Sequence, residues 1–366
     1  MYEAYRQITI DGTTYTADEM RAAEGGKSTL EEAFGKRYGT ESFYADVAQF
    51  LAEWFADGPT IKVHTSGSTG KPKELWVEKE RMMNSARMTL DFLGLQQGDS
   101  ALLCMPLPYI AGKMVVVRAI VGQLNLKPIT PSGHPLKEVS TPLQFAAMIP
   151  MQVFNSLQVE EERQRLMSIG HLIIGGGAID KEMGKALQSF PNRVWSTYGM
   201  TETLSHIALR RISGKEASAW YTPFDNVRLS LSEEGTLVIN APKVSAEELT
   251  TNDMVQFNPQ GQFQIIGRKD NIINTGGIKV QIEQVEEQLS QVLSVPYMIT
   301  AAPDEKFGEK IVLLTTSSDR EQIDKAIKTL PRYWQPKEIH TIKALPLTGT
   351  GKPDRAKAKE FAAQAK

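Results

Sequence analysis

The residues with the clearest chemical potential form a run of hydroxyl, glycine and lysine residues at positions 65–73, which reads Thr-Ser-Gly-Ser-Thr-Gly-Lys-Pro-Lys. Small residues let backbone N–H groups approach a bulky anion, hydroxyls add hydrogen-bond donors, and lysines add positive charge. This composition predicts a loop that holds a polyphosphate. It follows Ile-Lys-Val at 61–63, which we expect to form a short strand. The end of a strand is a common ligand position in α/β sheets.

A Walker-type P-loop is the first alternative, and the spacing excludes it. That motif needs a glycine five positions before its Gly-Lys pair and a serine or threonine after the lysine. Here Thr65 lies five positions before Gly70, and Pro72 follows Lys71. A flexible Gly/Ser surface loop remains open as an interpretation of these residues alone.

Two further stretches carry groups suited to nucleotide chemistry. Gly175, Gly176 and Gly177 follow an apolar run and would let a flat ring lie against the backbone. A tight strand–helix turn explains these glycines equally well. Tyr-Gly-Met-Thr-Glu-Thr at 198–203 offers an aromatic face, a hydroxyl and a carboxylate, and a carboxylate beside bound phosphates normally carries Mg²⁺. Considered alone, the stretch at 198–203 is also consistent with an ordinary polar loop.

Two weaker signals lie towards the C-terminus. Thr-Asn-Asp at 251–253 and Gly-Arg-Lys-Asp at 267–270 bracket a predicted hairpin. An aspartate can accept hydrogen bonds from both hydroxyls of a ribose, and an arginine can add donors. Leu-Thr-Gly-Thr-Gly-Lys-Pro at 347–353 is a Gly/Thr loop that carries one lysine, Lys352. Alone, this last stretch is typical of a solvated tail.

Hydrophobic patterning predicts the elements that position these stretches. We expect helices over 44–55, 78–93, 111–121 and 151–157 and from 180 onwards, and strands over 100–107, 145–149, 171–174 and 193–197. This alternation predicts a largely parallel α/β sheet. From residue 220, turns at 232–235 and 258–261 indicate a small antiparallel β unit. After residue 270, helices over 281–293 and 319–330 and strands over 297–301 and 311–315 predict a compact α+β domain.

Composition narrows the class of protein. The chain has 366 residues, enough for two or three domains, and its net charge of −2 gives no support for nucleic-acid binding. The single cysteine, Cys104, lies in an apolar run, which favours packing and fits a reducing compartment. Because no signal peptide is apparent and no apolar run approaches about 18 residues, we expect a cytoplasmic enzyme without a membrane span. The sequence leaves the oligomeric state open.

In their order along the chain, the five stretches resemble the adenylate-forming superfamily of acyl-CoA synthetases, peptide-synthetase adenylation domains and luciferases. The similarity runs from about residue 61 to the C-terminus. It implies an α/β N-terminal domain at 1–269, with a shortened first subdomain and a β unit at about 220–269, and a small mobile C-terminal domain at 270–366. Only about sixty residues precede the phosphate loop, which is fewer than is usual in the superfamily.

The resemblance also implies two half-reactions. A substrate carboxylate attacks the α-phosphorus of ATP to give an acyl-adenylate and pyrophosphate. The thiol of coenzyme A then attacks the adenylate to give a thioester and AMP. Because an anion must approach a polyanion, we expect catalysis chiefly by charge neutralisation and positioning.

Residue roles follow from matching motif positions. The resemblance implies that the β- and γ-phosphates of ATP are bound by Thr65, Ser66, Gly67, Ser68, Thr69, Gly70 and Lys73. The resemblance implies that Thr201 contacts the α-phosphate and that Glu202 binds Mg²⁺. It implies that Asp253 with Arg268 binds the ribose, and that the adenine is held by Gly175, Gly176, Gly177 and Tyr198. The resemblance places Lys352 between the reacting carboxylate and the α-phosphate. It makes Asp270 the hinge of the domain swing. The superfamily's Thr-Gly-Asp is Thr-Asn-Asp here, with Asp253 kept.

Within the superfamily, residues 106–112, Arg118 and 198–206 are most similar to the o-succinylbenzoate–CoA ligases of menaquinone biosynthesis. Their acid has two carboxylates, and only the succinyl carboxylate is activated. The other needs a cation or donors if it is buried. The acyl-pocket candidates are Tyr109, Lys113, Arg118 and His206, although relatives often have histidine where Tyr109 stands. Alternatively, Arg118 pairs with a structural acid and Lys113 is solvated.

Two other functions stay open at this point. One is another aryl or short-chain acyl-CoA ligase with the same fold. The other is a nucleotide-binding regulator that has lost turnover, against which the presence of Glu202, Asp253, Arg268 and Lys352 argues.

Overall fold

The computed structural model describes residues 5–21, 26–64, 74–347 and 353–364. The chain divides into two compact units. The first comprises Met1–Arg228, Asn240–Glu248 and Pro259–Gln262, and the second comprises Leu229–Ile239, Leu249–Asn258 and Phe263–Lys366. The predicted phosphate loop at 65–73 and the predicted catalytic residue Lys352 lie outside the described residues. The mobile domain with its hinge at Asp270 stays a prediction.

The first unit is built from alternating strands and helices. Its strands are β1 (Gln7–Ile10), β2 (Thr13–Thr16), β3 (Thr60–His64), β4 (Glu74–Glu78), β5 (Ser100–Leu103), β6 (Asn125–Pro128), β7 (Phe145–Met148), β8 (His171–Ile174), β9 (Arg193–Gly199), β10 (His206–Arg211) and β11 (Thr222–Pro223). Its helices are α1 (Ala17–Met20), α2 (Thr29–Tyr38), α3 (Phe43–Phe55), α4 (Lys79–Leu93), α5 (Ile110–Gly122), α6 (Pro150–Leu157), α7 (Glu160–Ser168) and α8 (Lys181–Gln188). The predicted strand at 100–107 therefore ends earlier, at Leu103.

Nine of these strands form one sheet in the order β11-β10-β9-β8-β7-β5-β6-β1-β2. The pairs from β9 to β1 are parallel, and the pairs at the two ends are antiparallel. Every residue of β7 and β8 is buried, as expected for parallel strands covered on both faces. The predicted parallel α/β sheet is confirmed.

Strand β3, which leads into the predicted phosphate loop, belongs to a different sheet from the one expected. It pairs antiparallel with β4, from Thr60 opposite Glu78 to His64 opposite Glu74, in a separate two-stranded sheet. The expectation that the loop leaves a strand of the α/β sheet was therefore wrong. A strand pattern in the sequence states neither the partner nor the direction of pairing, which tertiary contacts decide.

Helix α5 is buried over its whole central part, from residue 112 to residue 121. A Cβ atom at Gly112 would lie 2.5 Å from the carbonyl oxygen of Pro106, so only glycine allows the helix to approach this segment. Cys104 is fully buried and burial raises the pKa of its thiol to about 12, which confirms a packing role. Within the described residues, no helix is long and apolar enough to cross a membrane.

The second unit is antiparallel in its first part and α+β in its second. Its strands are β12 (Arg228–Leu231), β13 (Thr236–Asn240), β14 (Leu249–Phe257), β15 (Phe263–Arg268), β16 (Ile272–Thr275), β17 (Ile278–Gln281), β18 (Tyr297–Asp304), β19 (Gly308–Thr315) and β20 (Glu338–Thr341). Its helices are α9 (Ile282–Leu289), α10 (Arg320–Ile327) and α11 (Arg355–Gln364), with 3₁₀ turns at Lys269–Asn271 and Arg332–Trp334.

Strands β12 to β15 form a four-stranded antiparallel sheet in sequence order, which confirms the predicted β unit. The remaining strands form a five-stranded sheet, β17-β16-β19-β18 with β20 beside β19. Helices α9 and α10 supply Val285, Leu289 and Ile323 to the core of this sheet. Helix α9 ends at Leu289 and not at the expected 293. Residues 290–292 form turns, with three-residue hydrogen bonds such as that from Val292 N–H to the Leu289 carbonyl beside four-residue ones.

Candidate active site

The carboxyl end of β9 and the loop that follows it carry three predicted site residues. Tyr198 is buried, Thr201 is half-buried and Glu202 is exposed. The backbone N–H of Leu204 donates to the carbonyl of Thr201 over 2.9 Å, which closes a tight turn. Leu204 has a φ of 65°, an uncommon conformation for a leucine that marks this turn as strained. The turn presents Thr201 and Glu202 to solvent at the sheet edge.

Thr203 fixes the shape of this loop. Its hydroxyl accepts a hydrogen bond from Met200 N–H over 3.0 Å and lies 2.8 Å from the carbonyl oxygen of Ser205. Its side chain is fully buried. Gly199 lets the two arms of the loop meet, since a Cβ there would lie 2.3 Å from the Ser205 carbonyl oxygen. The loop is therefore held by internal hydrogen bonds and not left to solvent.

The three glycines follow β8, the parallel neighbour of β9. Because parallel strands end at the same edge of a sheet, Gly175 and Tyr198 lie at one edge. A Cβ at Gly175 would lie 2.6 Å from Thr197 Oγ1, and Gly176 has a φ of 79°. The backbone at Gly175 and Gly176 therefore requires glycine. Both the predicted adenine contact and a plain strand–helix turn are consistent with this requirement.

Arg118 is a buried cation on α5, with only 2% of its surface exposed. Its Nη2 donates to Ser205 Oγ over 2.7 Å, and its Nε is buried with no hydrogen-bond partner among the described residues. No carboxylate of the described residues pairs with it. Burial lowers the pKa of Arg118 to about 9, so the guanidinium is still charged at neutral pH. The alternative that Arg118 pairs with a structural acid finds no support in the described chain.

His206 continues the chain of polar contacts from Arg118. Ser205 Oγ lies 3.2 Å from His206 Nδ1, and His206 Nε2 lies 3.0 Å from Thr89 Oγ1 on α4. Burial and then the charge of Arg118 hold the pKa of His206 well below its usual value, so the ring is neutral. Because Ser205 accepts from Arg118, we infer that its hydroxyl donates to Nδ1 and that Nε2 carries the proton.

Lys113 and Tyr109 lie at the start of the same helix. The Lys113 side chain is 8% exposed, its Nζ donates to the carbonyl of Lys62 over 3.0 Å, and it lies 3.6 Å from the Glu53 carboxylate. Lys113 is therefore not solvated, contrary to the alternative above, and it contacts α3 and β3. Tyr109 is 43% exposed at the first turn of α5. The predicted roles of both in acid binding stay predictions.

In the second unit, the predicted ribose residues are brought together across a hairpin. Asp253 on β14 lies opposite Arg268 on β15, and Arg268 Nη1 donates to Asp253 Oδ1 over 3.0 Å. Arg268 Nη2 also reaches Asp270 Oδ2 at 3.3 Å, and Asn252 Nδ2 donates to the same oxygen over 3.0 Å. The guanidinium therefore holds the ribose candidate Asp253 and the hinge candidate Asp270 on one network.

The described residues contain no group of three or more His, Cys, Asp and Glu side chains that could hold a metal ion. Glu202 is thus a single carboxylate, exposed on its loop beside Thr201. That fits Mg²⁺ in a nucleotide site, where the ion keeps several waters and binds one or two carboxylates plus substrate phosphates.

The family description "AMP-binding enzyme" matches residues 52–247, more than half of the chain. The chain belongs to the AMP-binding enzyme family. The match begins in α3 and includes the phosphate-loop stretch and the loop at 198–206. The AMP-binding family assignment confirms the resemblance seen in the five sequence stretches.

Three known proteins illustrate what the chain is similar to. A probable 2-succinylbenzoate–CoA ligase from Mycobacterium tuberculosis is 26% identical over 86% of this chain and 88% of its own length. A crystal structure of an acyl-CoA synthetase (AMP-forming)/AMP-acid ligase II-like protein from Dyadobacter fermentans is 30% identical, with a TM-score of 0.62 over 88% of this chain and 95% of its own. Wild-type MenE from Escherichia coli, bound to an analogue of OSB-AMS, is 18% identical with a TM-score of 0.70 over 98% and 96%. This last likeness concerns the fold.

Sequence reasoning missed two polar partners of the candidate residues Arg118 and His206. Ser205 links Arg118 to His206, and Thr89 contacts the other ring nitrogen of His206. Arg118 and Ser205 are 87 positions apart, and Thr89 and His206 are 117 apart. Contacts over such separations leave no local pattern. A signal existed only for Ser205, which lies within the stretch 198–206 that carries the resemblance. Thr89 appeared merely as a polar residue in a predicted helix.

The close approach at Gly199 yields a stability prediction. We expect Gly199→Ala to lower the free energy of unfolding by about 2–3 kcal/mol, because its methyl group has no room beside the Ser205 carbonyl. Gly184→Ala in α8 is the matched control, since nothing lies within 4 Å of a Cβ there. It should be neutral or stabilise by about 0.5–1 kcal/mol. Urea unfolding of both variants checks this, and equal effects at the two glycines would contradict the packing argument.

Proposed function

We propose that this chain is an ATP-dependent acid–CoA ligase that acts through an acyl-adenylate, with o-succinylbenzoate as its acid. Membership of the AMP-binding family and the named relatives support the reaction class. The observation that carries the choice of acid is Arg118, a buried guanidinium without a carboxylate partner in the described chain.

A buried cation without an anion is costly for the protein alone. A ligand that brings a carboxylate to Arg118 removes that cost. o-Succinylbenzoate has such a spare group, because its ring carboxylate is not the one that is activated. Ser205 orients the guanidinium, and neutral His206 adds no second charge that would hold the acid too tightly. Arg118 is therefore the proposed partner of the ring carboxylate, and Lys113 serves chiefly as a link between α5 and β3.

The first half-reaction joins the succinyl carboxylate to ATP. A carboxylate oxygen attacks the α-phosphorus, the bond from that phosphorus to the bridging oxygen of the leaving group breaks, and pyrophosphate leaves. Thr201 donates to the α-phosphate, and Asp253 with Arg268 holds the ribose. The adenine lies between Tyr198 and the three glycines Gly175, Gly176 and Gly177. The phosphate loop at 65–73 takes the β- and γ-phosphates, and Lys352 neutralises the charge between the reacting groups.

The second half-reaction joins the acyl group to coenzyme A. The thiolate sulfur attacks the acyl carbon, the bond from carbon to the bridging oxygen breaks, and AMP leaves with that oxygen. Mg²⁺ held by Glu202 supplies charge neutralisation to the phosphates when it is bound. The hinge at Asp270 separates the two steps by letting the small domain present different faces.

Product analysis tests the reaction class. With o-succinylbenzoate, ATP, Mg²⁺ and coenzyme A, we expect one AMP, one pyrophosphate and one thioester per turnover. A panel of benzoate, short-chain and succinyl acids separates o-succinylbenzoate from other aryl or short-chain substrates. Binding of ATP with no pyrophosphate release for any acid would indicate the inactive regulator instead.

Glu202 allows a separate test of metal binding. We expect Glu202→Gln to raise the Mg²⁺ concentration needed for half-maximal rate by at least about tenfold, because the amide carries no charge for the ion. Its melting temperature should stay within about 1 °C of the wild type, since the side chain is exposed. Exposed Glu182→Gln on α8 is the matched control. An unchanged Mg²⁺ titration for Glu202→Gln would remove this residue from the metal site.

A further inference from the structure

The sheet of the first unit has a cleft at the edge opposite the predicted nucleotide residues. This basal cleft, of about 510 Å³, is lined in part by Gly170, Asn192, Arg193, Arg211, Gly214 and Lys215. It lies where β8 and β9 begin and β10 ends, whereas Gly175 and Tyr198 lie at the other ends of β8 and β9. A four-residue strand spans about 13 Å, so the basal cleft is distinct from the site above.

The lining of the basal cleft carries more positive than negative charge. Arg193, Arg211 and Lys215 contribute three positive charges, and Glu216 is the single carboxylate in the lining. Arg193 and Arg211 are close enough that the charge of Arg193 lowers the pKa of Arg211, after the larger effect of burial. Glu216 offsets part of this at 3.5 Å from Arg211, with 79% of its side chain exposed. The cleft thus keeps a positive excess.

Neighbouring groups hold the Arg211 guanidinium in place, and one of its nitrogens makes no hydrogen bond within the described residues. Its Nε donates to the carbonyl and the hydroxyl of Ser213 over 3.0 and 3.2 Å, and its guanidinium carbon lies 5.0 Å from the centroid of the Trp195 ring. The Arg211 side chain is only 11% exposed. Its Nη2 has no hydrogen-bond partner among the described residues and lies 3.8 Å from where a Cβ of Gly214 would be.

Arg193 is oriented by His171 from the start of β8. Arg193 Nη1 lies 3.1 Å from His171 Nε2. Burial and the charges of both arginines lower the pKa of His171 to about 4, so its neutral ring can accept this hydrogen bond at physiological pH. The second terminal nitrogen of Arg193, Nη2, makes no hydrogen bond within the described residues.

The turn after β10 adds backbone donors on the same side. Gly214 has a φ of 73°, and the N–H of Ala217 donates back to the Gly214 carbonyl over 3.2 Å. Between them, the N–H groups of Lys215 and Glu216 find no acceptor among the described residues. Successive free N–H groups beside a left-handed residue form a concavity that suits an anion.

We propose that the basal cleft is an anion site that binds the phosphate group of a small phosphorylated molecule. The Nη2 groups of two arginines, a lysine and two backbone N–H groups supply donors from several directions. That arrangement matches a tetrahedral oxyanion better than a planar carboxylate. Three cations against one carboxylate match the double negative charge of a phosphate monoester. The cleft has room for an organic group beside the phosphate.

Equilibrium dialysis with radiolabelled inorganic phosphate, at constant ionic strength in sodium chloride, tests the site on the full chain. The test variant is Arg193→Gln with Lys215→Ser, which leaves Arg211 to support the fold. The control variant is Arg163→Gln with Lys36→Ser, two exposed cations elsewhere in the first unit. We expect the test variant to lose one saturable phosphate site, or to raise its Kd at least tenfold. The control variant should match the wild type.

Melting temperatures provide the second measurement. Phosphate at about ten times its Kd should raise the Tm of the wild type and the control variant by about 3 °C over matched chloride, and should raise that of the test variant by much less. The three proteins should melt alike without phosphate. If the test variant binds phosphate as the wild type does, the anion lies elsewhere, and the proposal is overturned. The absence of saturable binding to the wild type also overturns it. Neither readout depends on ligase activity.

Discussion

Replacing Arg118 by methionine is expected to lower kcat/KM for o-succinylbenzoate by about 10²–10³-fold, because the ring carboxylate would be buried without its cation. The same change should leave 4-phenyl-4-oxobutanoate, which lacks the ring carboxylate, within a few-fold of its wild-type rate. The wild type should turn over this second acid far less well than o-succinylbenzoate. Steady-state kinetics with both acids measure the two ratios.

The stability of the Arg118→Met variant serves as its control. Arg118 is a desolvated cation without a carboxylate among the described residues, so an apolar side chain of similar length should keep or raise the melting temperature. Loss of activity with a preserved fold would then belong to acid binding. If both acids lose activity equally, Arg118 does not bind the ring carboxylate.

The Lys352→Ala variant is expected to separate the two half-reactions. Lys352 belongs to the Gly/Thr stretch at 347–353 of the sequence. Its proposed role is to neutralise charge as the carboxylate meets the α-phosphate. Removal of one preorganised donor costs on the order of 10²–10³ in rate, or roughly 3–4 kcal/mol. Adenylate formation should slow by that factor. Conversion of supplied acyl-adenylate and coenzyme A to thioester should keep nearly its normal rate.

Single-turnover measurements of each half-reaction check this prediction. Lys343→Ala is the matched control, because Lys343 is an exposed lysine of the same unit. It should leave both half-reactions unchanged. Equal losses in both halves for Lys352→Ala would count against a domain swing and would assign the lysine a structural role.

The sequence predicted the parts of the fold that depend on local pattern. The short run at 171–174, which ends at the three glycines, became β8 with the predicted bounds. Gly199 and Thr203 lie within the stretch that carried the resemblance. The small antiparallel unit followed from its turn residues at 232–235 and 258–261. Periodicity and turn chemistry act over a few residues, so a reader of the sequence can recognise them.

Strand partners and side-chain burial could not be predicted from local pattern. The partner of β3 is β4, across the nine-residue stretch 65–73, although its strand pattern fits the main sheet equally well. Lys113 contacts Glu53 and the Lys62 carbonyl, which no spacing in the sequence reveals. The same holds for the chain from Arg118 through Ser205 to His206 and Thr89. Burial turns these side chains from solvated groups into a connected network, and burial is decided by the whole fold.

The most direct test of the account follows oxygen from the acid into AMP. o-Succinylbenzoate labelled with ¹⁸O in the succinyl carboxylate only is converted with ATP and coenzyme A, and the AMP is analysed by mass spectrometry. If that carboxylate attacks the α-phosphorus, each AMP carries one ¹⁸O atom in its phosphate, and acid labelled only in the ring carboxylate gives unlabelled AMP. Unlabelled AMP from the succinyl-labelled acid, or formation of ADP and phosphate in place of AMP, would contradict an acyl-adenylate ligase.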